Sequence, residues 1–281
     1  MVKCALLIGF NYEAIPRYTL NGCIADCALM YKTLRKRGYD SENITFITDA
    51  SKEVIEKTFG KTKMQILTDY GKSKILKTIS NRIYDPSITT LCVYYAGHGG
   101  QTPTVVEEDK KDELLLIPSV SFKICSFPYC SFYVDTIKDN ELHLLIYKCI
   151  KSRAEPLRLF TIFDNCNSGS VLDLPFYSIN SKTLSYESKY DKIHRTVDTS
   201  KLLHYCISSS SDHQDSYETQ NNNSVNGIFT TIITKCFDSK SKPTVQNIFD
   251  CTKTLHEKPI NKQNVVISSN KKFNLNTTIS L

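Results

Sequence analysis

Apolar positions in the first hundred residues fall into two kinds of run. Residues 20–37 and 63–83 carry apolar side chains at intervals of three and four, which predicts amphipathic helices, with Gly71 as a candidate break in the second. Strands that alternate with helices favour parallel βαβ units in a sheet covered on both faces. The runs that we interpret as buried strands are short and continuous: residues 4–10, 44–47 and 88–96.

The pattern continues less regularly beyond residue 100. Residues 107–113 form a charged loop, and residues 119–133 show no clear period. Residues 178–198 are polar and read as an exposed linker. Further strands are predicted at residues 114–118, 157–163, 202–207 and 265–267, and further helices at residues 135–150, 229–237 and 245–255.

Composition narrows the class of protein. The 281 residues, 41% of them hydrophobic and 23% charged, suit one large globular domain or two small ones. The net charge of +6 comes from scattered lysines, which argues against a nucleic-acid partner. No apolar run approaches the ~20 residues of a membrane span, so we expect no membrane partner. The 11 irregularly spaced cysteines and an opening too short for a signal peptide favour a reduced, cytoplasmic protein.

Two of the predicted strands end in reactive side chains. One leads into Asp164 and Cys166, and another leads into His98, which lies between Gly97 and Gly99. Reacting groups collect at the carboxyl ends of parallel strands. Alone, Cys166 could be another buried structural cysteine, and His98 an ordinary core or surface histidine. Their matching positions favour a single site with a cysteine nucleophile and a histidine base, beside free backbone amides.

Two carboxylates accompany these groups. Asp164 precedes the cysteine by two positions and therefore shares its face of an extended segment. Asp26 lies on the first predicted helix, next to Cys23 and Cys27. The two acids would form an anionic pocket suited to Arg or Lys, although each could also be a helix cap or a surface acid. The i, i+4 cysteines could ligate a metal, but no second pair matches, so core packing is favoured.

Several segments resemble the type I metacaspases, which are caspase-like cysteine peptidases. Residues 94–99 and 163–175 are similar to the two catalytic blocks of that family. The first strand and helix and the block that opens the smaller subunit region are also similar, in the same order along the chain. The resemblance implies an α/β fold, namely a caspase-like three-layer sandwich with a mostly parallel central sheet flanked by helices.

The resemblance also implies a mechanism. Cys166 would attack a peptide carbonyl and His98 would transfer the proton, while the amides of Gly99 and Cys166 would form the oxyanion hole. The partners would be protein or peptide substrates, cleaved after Arg or Lys. The residues implied for the basic-residue pocket are Cys23, Asp26, Ala96 and Asp164.

The family comparison implies calcium as a possible cofactor, because many members require it. Asn140 stands where an aspartate is usual, and the lost charge should weaken the site. The positions implied as calcium ligands are Asp112, Asp139, Asn140 and Asp173.

The resemblance divides the chain into regions within one structural domain. Residues 1–177 are similar to the large (p20) subunit and residues 201–281 to the small (p10) subunit. The linker, residues 178–200, carries the candidate self-cleavage residues Lys182, Lys189, Lys192 and Arg195. The family tends to be monomeric, so we expect a monomer.

Two departures from the family pattern lie beside the site. Asn167 stands where the family usually has histidine after its nucleophile, and Ala96 replaces a serine before the Gly-His pair. They motivate an alternative hypothesis, a weakened or inactive relative with a binding or regulatory role. A hydrolase of another class on the same scaffold is a third hypothesis, because a fold does not fix a function.

Overall fold

A computed structural model describes residues 2–103, 111–126, 129–169, 171–180, 182–185, 199–211, 214–221, 224–257 and 262–281. Its strands, in chain order, are β1 (Val2–Gly9), β2 (Ile44–Thr48), β3 (Gln65–Leu67), β4 (Ile88–Ala96), β5 (Gly99–Pro103), β6 (Lys111–Ser126), β7 (Tyr129–Lys138), β8 (Leu157–Asp164), β9 (Phe176–Ile179), β10 (Lys182–Ser185), β11 (Leu202–Ser208), β12 (Glu218–Asn221), β13 (Ser224–Gly227) and β14 (Val266–Ser269). Its α-helices are α1 (Cys23–Lys36), α2 (Lys52–Phe59), α3 (Lys72–Tyr84), α4 (Asp139–Lys151), α5 (Ile228–Ser239) and α6 (Val245–His256).

A central sheet organises the described residues. Nine of their strands form it, in the order β10-β9-β14-β11-β8-β4-β1-β2-β3. The strands from β11 to β3 run parallel to their neighbours, and β14, β9 and β10 add an antiparallel edge. The mostly parallel sheet that the sequence predicts is therefore confirmed. Smaller sheets form from β5, β6 and β7 and from β12 and β13.

Helices cover both faces of this sheet. In β1, Ala5 and Leu7 pack with α1, α2, α5 and α6, whereas Leu6 and Ile8 pack on the other face with α3 and α4. All four side chains are buried, as the continuous apolar run of β1 predicts. The three-layer α/β architecture is thus confirmed. In the part of the chain that the structure describes, no helix combines the length and apolarity that crossing a membrane requires.

Two element predictions were wrong, and one helix was not predicted. Residues 63–83 form β3 followed by α3, not one helix, because residues 65–67 pair with β2 at the sheet edge. Helix α2 was not predicted because it buries only Ile55 and therefore has no apolar periodicity. Its main sequence signal is the N-cap residue Ser51, whose side chain accepts a hydrogen bond from the Val54 amide. The predicted helix at residues 135–150 begins at Asp139, since the preceding residues pair with β6.

Part of the predicted linker is structured. Strands β9 and β10 pair with each other, and β9 also pairs with β14, so the first residues of the linker belong to the central sheet. The candidate cleavage residues Lys189, Lys192 and Arg195 lie outside the described residues, and Lys182 begins β10. Of residues 119–133, which show no clear period, the described ones belong to β6 (to Ser126) and β7 (from Tyr129).

Candidate active site

The reactive residues follow two adjacent parallel strands. Ala96 of β4 is paired with Asp164 of β8, so both strands end at the same level of the sheet. His98 and Cys166 each follow by two residues, and they line one cavity of about 250 Å³. Of the residues expected in the basic-residue pocket, Cys23, Asp26 and Asp164 line this cavity. Ala96 does not; it is buried beside Asp164 within the sheet.

Gly99 lets the two strand ends come together. A Cβ atom at this position would lie 2.1 Å from the carbonyl oxygen of Cys166 and 2.2 Å from Nδ2 of Asn165. Only glycine fits so close an approach of backbone to backbone. Nδ2 of Asn165 also donates a hydrogen bond to the Cys166 carbonyl at 2.7 Å, which fixes the backbone of Cys166.

Aromatic residues orient His98. Its Nε2 lies 2.7 Å from the carbonyl oxygen of Tyr18, and because a carbonyl only accepts, Nε2 carries the proton in the neutral ring. Nδ1 is then the basic nitrogen. The backbone amide of His98 donates to the Tyr12 hydroxyl at 2.9 Å, and its carbonyl accepts from the Tyr95 hydroxyl at 2.7 Å. The imidazole is therefore held by both its ring and its backbone.

The thiol of Cys166 is partly buried and protonated by preference. Burial raises its pKa, and the negative charges of Asp215 and Asp164 add to the rise. The Ser216 amide, which donates to Sγ at 3.3 Å, acts in the opposite direction. A thiol whose pKa is raised becomes a nucleophile when a base takes its proton.

Asp26 is a buried carboxylate at the first turn of α1. It is only 2% exposed, and the Gly227 amide donates to Oδ1 at 2.9 Å and to Oδ2 at 3.0 Å. The Asn226 side chain donates to Oδ1 at 3.1 Å. Burial raises its pKa well above the usual range, and the nearby carboxylate of Asp164 raises it further.

Asp164 is held by hydroxyl groups. Ser216 donates to Oδ1 and Thr230 to Oδ2, both at 2.6 Å. Burial raises the pKa of Asp164, while these hydrogen bonds oppose the rise. Two buried carboxylates with raised pKa values form a pocket that a cation would stabilise.

Sequence reasoning did not identify the partners of these acids. They lie beyond the linker, with Ser216 before β12 and the others in β13 and the first turn of α5, and no periodicity marks them. Two further acids, Asp215 and Glu218, also line the cavity. Glu218 accepts the Gly22 amide at 2.7 Å, which ties this region to the start of α1. Sequence reasoning placed Ser216 in the block that resembles the start of the smaller subunit region, without a role for it. The residues that it missed altogether are Asn226, Gly227 and Thr230.

The residues expected to bind calcium are arranged around an ion pair. Nζ of Lys138 lies 2.6 Å from Oδ2 of Asp112, and Nδ2 of Asn140 donates to Oδ1 at 3.0 Å. Asp139 is buried at the start of α4. Among the described residues, no three His, Cys, Asp or Glu side chains converge as metal ligands. Calcium takes six to eight oxygen ligands, whereas both carboxylate oxygens of Asp112 face nitrogen donors, so Asp112 as placed does not fit the ion.

Comparison with known proteins identifies relatives. The family model described as "Metacaspase, peptidase C14 domain" matches residues 3–175. Metacaspase-1 of Emericella nidulans is 32% identical over 176 residues, which cover 61% of this chain and 37% of that protein. Metacaspase-1 of Ajellomyces capsulatus is 33% identical over 176 residues, covering 61% and 42%. The chain thus matches less than half the length of these relatives.

A solved structure resembles the fold. The crystal structure of a Geobacter sulfurreducens protein matches with a TM-score of 0.54 and 18% identity, covering 100% of both chains. At that identity the likeness concerns the fold alone, and it agrees with the sandwich described above.

Proposed function

The chain belongs to the metacaspase family of C14 peptidases, and from this we propose that it is a cysteine endopeptidase cleaving after Arg or Lys through a Cys166–His98 dyad. One observation carries the proposal. A thiol, an imidazole and two buried carboxylates line the same cavity. The thiol and imidazole supply a nucleophile and its base, and the carboxylates supply a complement for a basic side chain.

The chemistry begins with proton transfer. Nδ1 of His98 takes the thiol proton as Sγ of Cys166 attacks the scissile carbonyl carbon, and the carbonyl oxygen becomes an oxyanion. The amides of Gly99 and Cys166 stabilise that charge. His98 then donates the proton to the departing amine, which leaves a thioester on Cys166. Water, deprotonated by His98, hydrolyses the thioester and regenerates the thiol.

Specificity comes from the two acids. A guanidinium or ammonium group between Asp26 and Asp164 would favour their ionised forms and offset the cost of their burial. An acidic side chain would add a third negative charge, so cleavage after Asp is disfavoured. Glu218 and Asp215 extend the negative charge around the same cavity.

Peptide substrates that differ only at P1 test the proposal. We expect turnover with Arg or Lys at P1 and none with Asp. Cys166→Ala should abolish turnover, whereas Cys251→Ala, which changes a half-buried cysteine on α6, should retain it. Full activity in Cys166→Ala would refute the mechanism, and equal cleavage after Asp would refute the specificity.

Asn167 and Ala96, which depart from the family pattern beside the site, motivate one alternative, a weakened relative that binds basic peptides without cleaving them. Fluorescence polarisation with an Arg-containing peptide separates the two. Binding that depends on Asp26 without any turnover would support the alternative. The cytoplasmic location and the monomeric state remain predictions.

A further inference from the structure

The candidate calcium position holds a cation that belongs to the chain itself. Asp112, the second residue of β6, is 3% exposed. A buried carboxylate needs a counter-charge and hydrogen-bond donors, because its ionised form is otherwise strongly disfavoured. Lys138 supplies the charge to Oδ2 and Asn140 supplies a donor to Oδ1. Both oxygen atoms that would face a metal therefore face protein donors.

The local fold explains why Lys138 is in place. It is the last residue of β7, and β7 pairs antiparallel with β6, where Lys138 is paired with Leu114. Asp112 lies two residues before Leu114 on the same strand. Asn140 follows in the first turn of α4. The strand pairing thus delivers the ammonium group to the carboxylate without any bound ligand.

We propose that the Lys138 ammonium group takes the role of a divalent cation at Asp112, so that this chain neither binds nor requires calcium there. Binding of calcium would have to displace the ammonium group and turn the Asn140 amide away from Asp112. An intramolecular cation also has no dependence on ion concentration, so the local structure is the same whether calcium is present or absent.

The position matters for the candidate active site. Strand β6 also pairs with β5, where Gly99 is opposite Leu115, and the Leu116 amide donates to the His98 carbonyl at 3.1 Å. The Lys138–Asp112 pair anchors the same strand a few residues away. The effect on catalysis rests on the proposed peptidase function, whereas the effects on cation binding and stability do not.

The test combines calorimetric titration with calcium and thermal unfolding in excess calcium or in EGTA. For the wild-type chain we expect no saturable heat of binding and the same Tm in both buffers. Lys138→Met should lower the Tm by about 2–5 °C, whereas the matched control Lys148→Met, on the exposed face of α4, should not. In an Asp112→Asn background, Lys138→Met should lower the Tm by much less, because the carboxylate charge that Lys138 balances is absent.

Replacing Asn140 by the aspartate that the family usually has, in a chain without Lys138, should create calcium binding. The double variant Lys138→Met with Asn140→Asp should bind calcium and recover part of the lost Tm. Saturable calcium binding by the wild-type chain with a rise in its Tm would overturn the proposal, and so would equal Tm values for Lys138→Met and Lys148→Met. If peptidase activity is absent while these shifts occur, the peptidase proposal fails and this one stands.

Discussion

The carboxylates of Asp26 and Asp164 converge on one point, the α-carbon of Gly227. A Cβ atom there would lie 2.4 Å from Oδ2 of Asp164 and 3.0 Å from Oδ2 of Asp26. Asp26 and Asp164 come from opposite halves of the residue 3–175 family match, whereas Gly227 lies beyond it, at the end of β13. The pocket is therefore closed by a residue that carries no side chain.

We expect Gly227→Ala to block the pocket. The added methyl group would occupy the space between the carboxylates, where a basic side chain is proposed to bind. For an Arg-P1 peptide, kcat/KM should fall by about 10–100-fold. Steady-state kinetics measures this, and Ser239→Ala at the far end of α5 is the control. Unchanged kinetics in Gly227→Ala would show that the P1 side chain binds elsewhere.

The buried acids predict a falling stability as pH rises. Burial raises the pKa of Asp26 above its unfolded value of about 4, so between the two values the folded state keeps a proton that the unfolded state has lost. The free energy of unfolding should then decrease with pH, by at most about 1.4 kcal/mol per pH unit for one proton. The contribution of Asp26 to stability is fully present below its unfolded pKa and is lost as the pH rises to its raised folded pKa.

Urea unfolding across a pH series measures this slope. Asp26→Asn should flatten it, because the amide does not titrate, and Asp69→Asn should not, because that side chain is 90% exposed. Identical slopes in wild type and Asp26→Asn would contradict the raised pKa.

Gly99 and Gly100 form a matched pair for testing the close approach of the strand ends. A Cβ atom at Gly99 would meet the Cys166 carbonyl at 2.1 Å, whereas at Gly100 its nearest neighbour is a Leu116 methyl at 3.4 Å. Gly99→Ala should therefore reduce kcat by about 100-fold or more, and Gly100→Ala should change it by less than about threefold. Similar losses of kcat in both variants would mean that the close contact between Gly99 and the Cys166 carbonyl does not account for the loss.

The raised pKa of Cys166 predicts slow alkylation. Because burial and nearby acids raise its pKa, iodoacetamide at pH 7 should modify Cys166 more slowly than free cysteine, whose pKa is about 8.5. Agmatine, whose guanidinium group should enter the acidic pocket, should accelerate the reaction. Mass spectrometry of the Cys166 peptide gives the rate, and alkylation faster than that of free cysteine would contradict the raised pKa.

The same acceleration should depend on the pocket acids. In Asp26→Asn, agmatine should have a smaller effect, because one of the two charges that bind it is missing. Acceleration of equal size in the variant would show that the guanidinium acts from another position.

The periodicity of apolar residues predicted the strands that carry His98 and Cys166, but not the residues that line the acidic pocket. The apolar runs of β4 and β8 are long and buried on both faces, so their ends, and with them His98 and Cys166, could be placed from the sequence. Ser216 and Thr230 could not, because hydroxyl groups in a loop and at a helix start leave no periodic signal. Their role arises only when the fold brings them to Asp164.

The expected calcium site shows a limit of comparing a sequence with a family pattern. The family pattern directs attention to the acids, and Asp112 and Asn140 do lie together. The decisive residue is Lys138, two positions before Asn140, because a strand pairing places its ammonium group on Asp112. A comparison restricted to ligand positions does not reveal a cation that the chain supplies itself.

The position of β11 in the central sheet should hold the two fragments together after cleavage between residues 185 and 199. This strand follows residues 186–198, yet it lies between β8, which precedes them, and β14. After a single cleavage between residues 185 and 199, the β11–β14 pair of the second fragment would still be hydrogen-bonded on both sides to the first fragment, to β8 and to β9. The nicked molecule should elute as one particle in native chromatography and separate only on a denaturing gel. Two separately produced halves should likewise reassemble into one sheet.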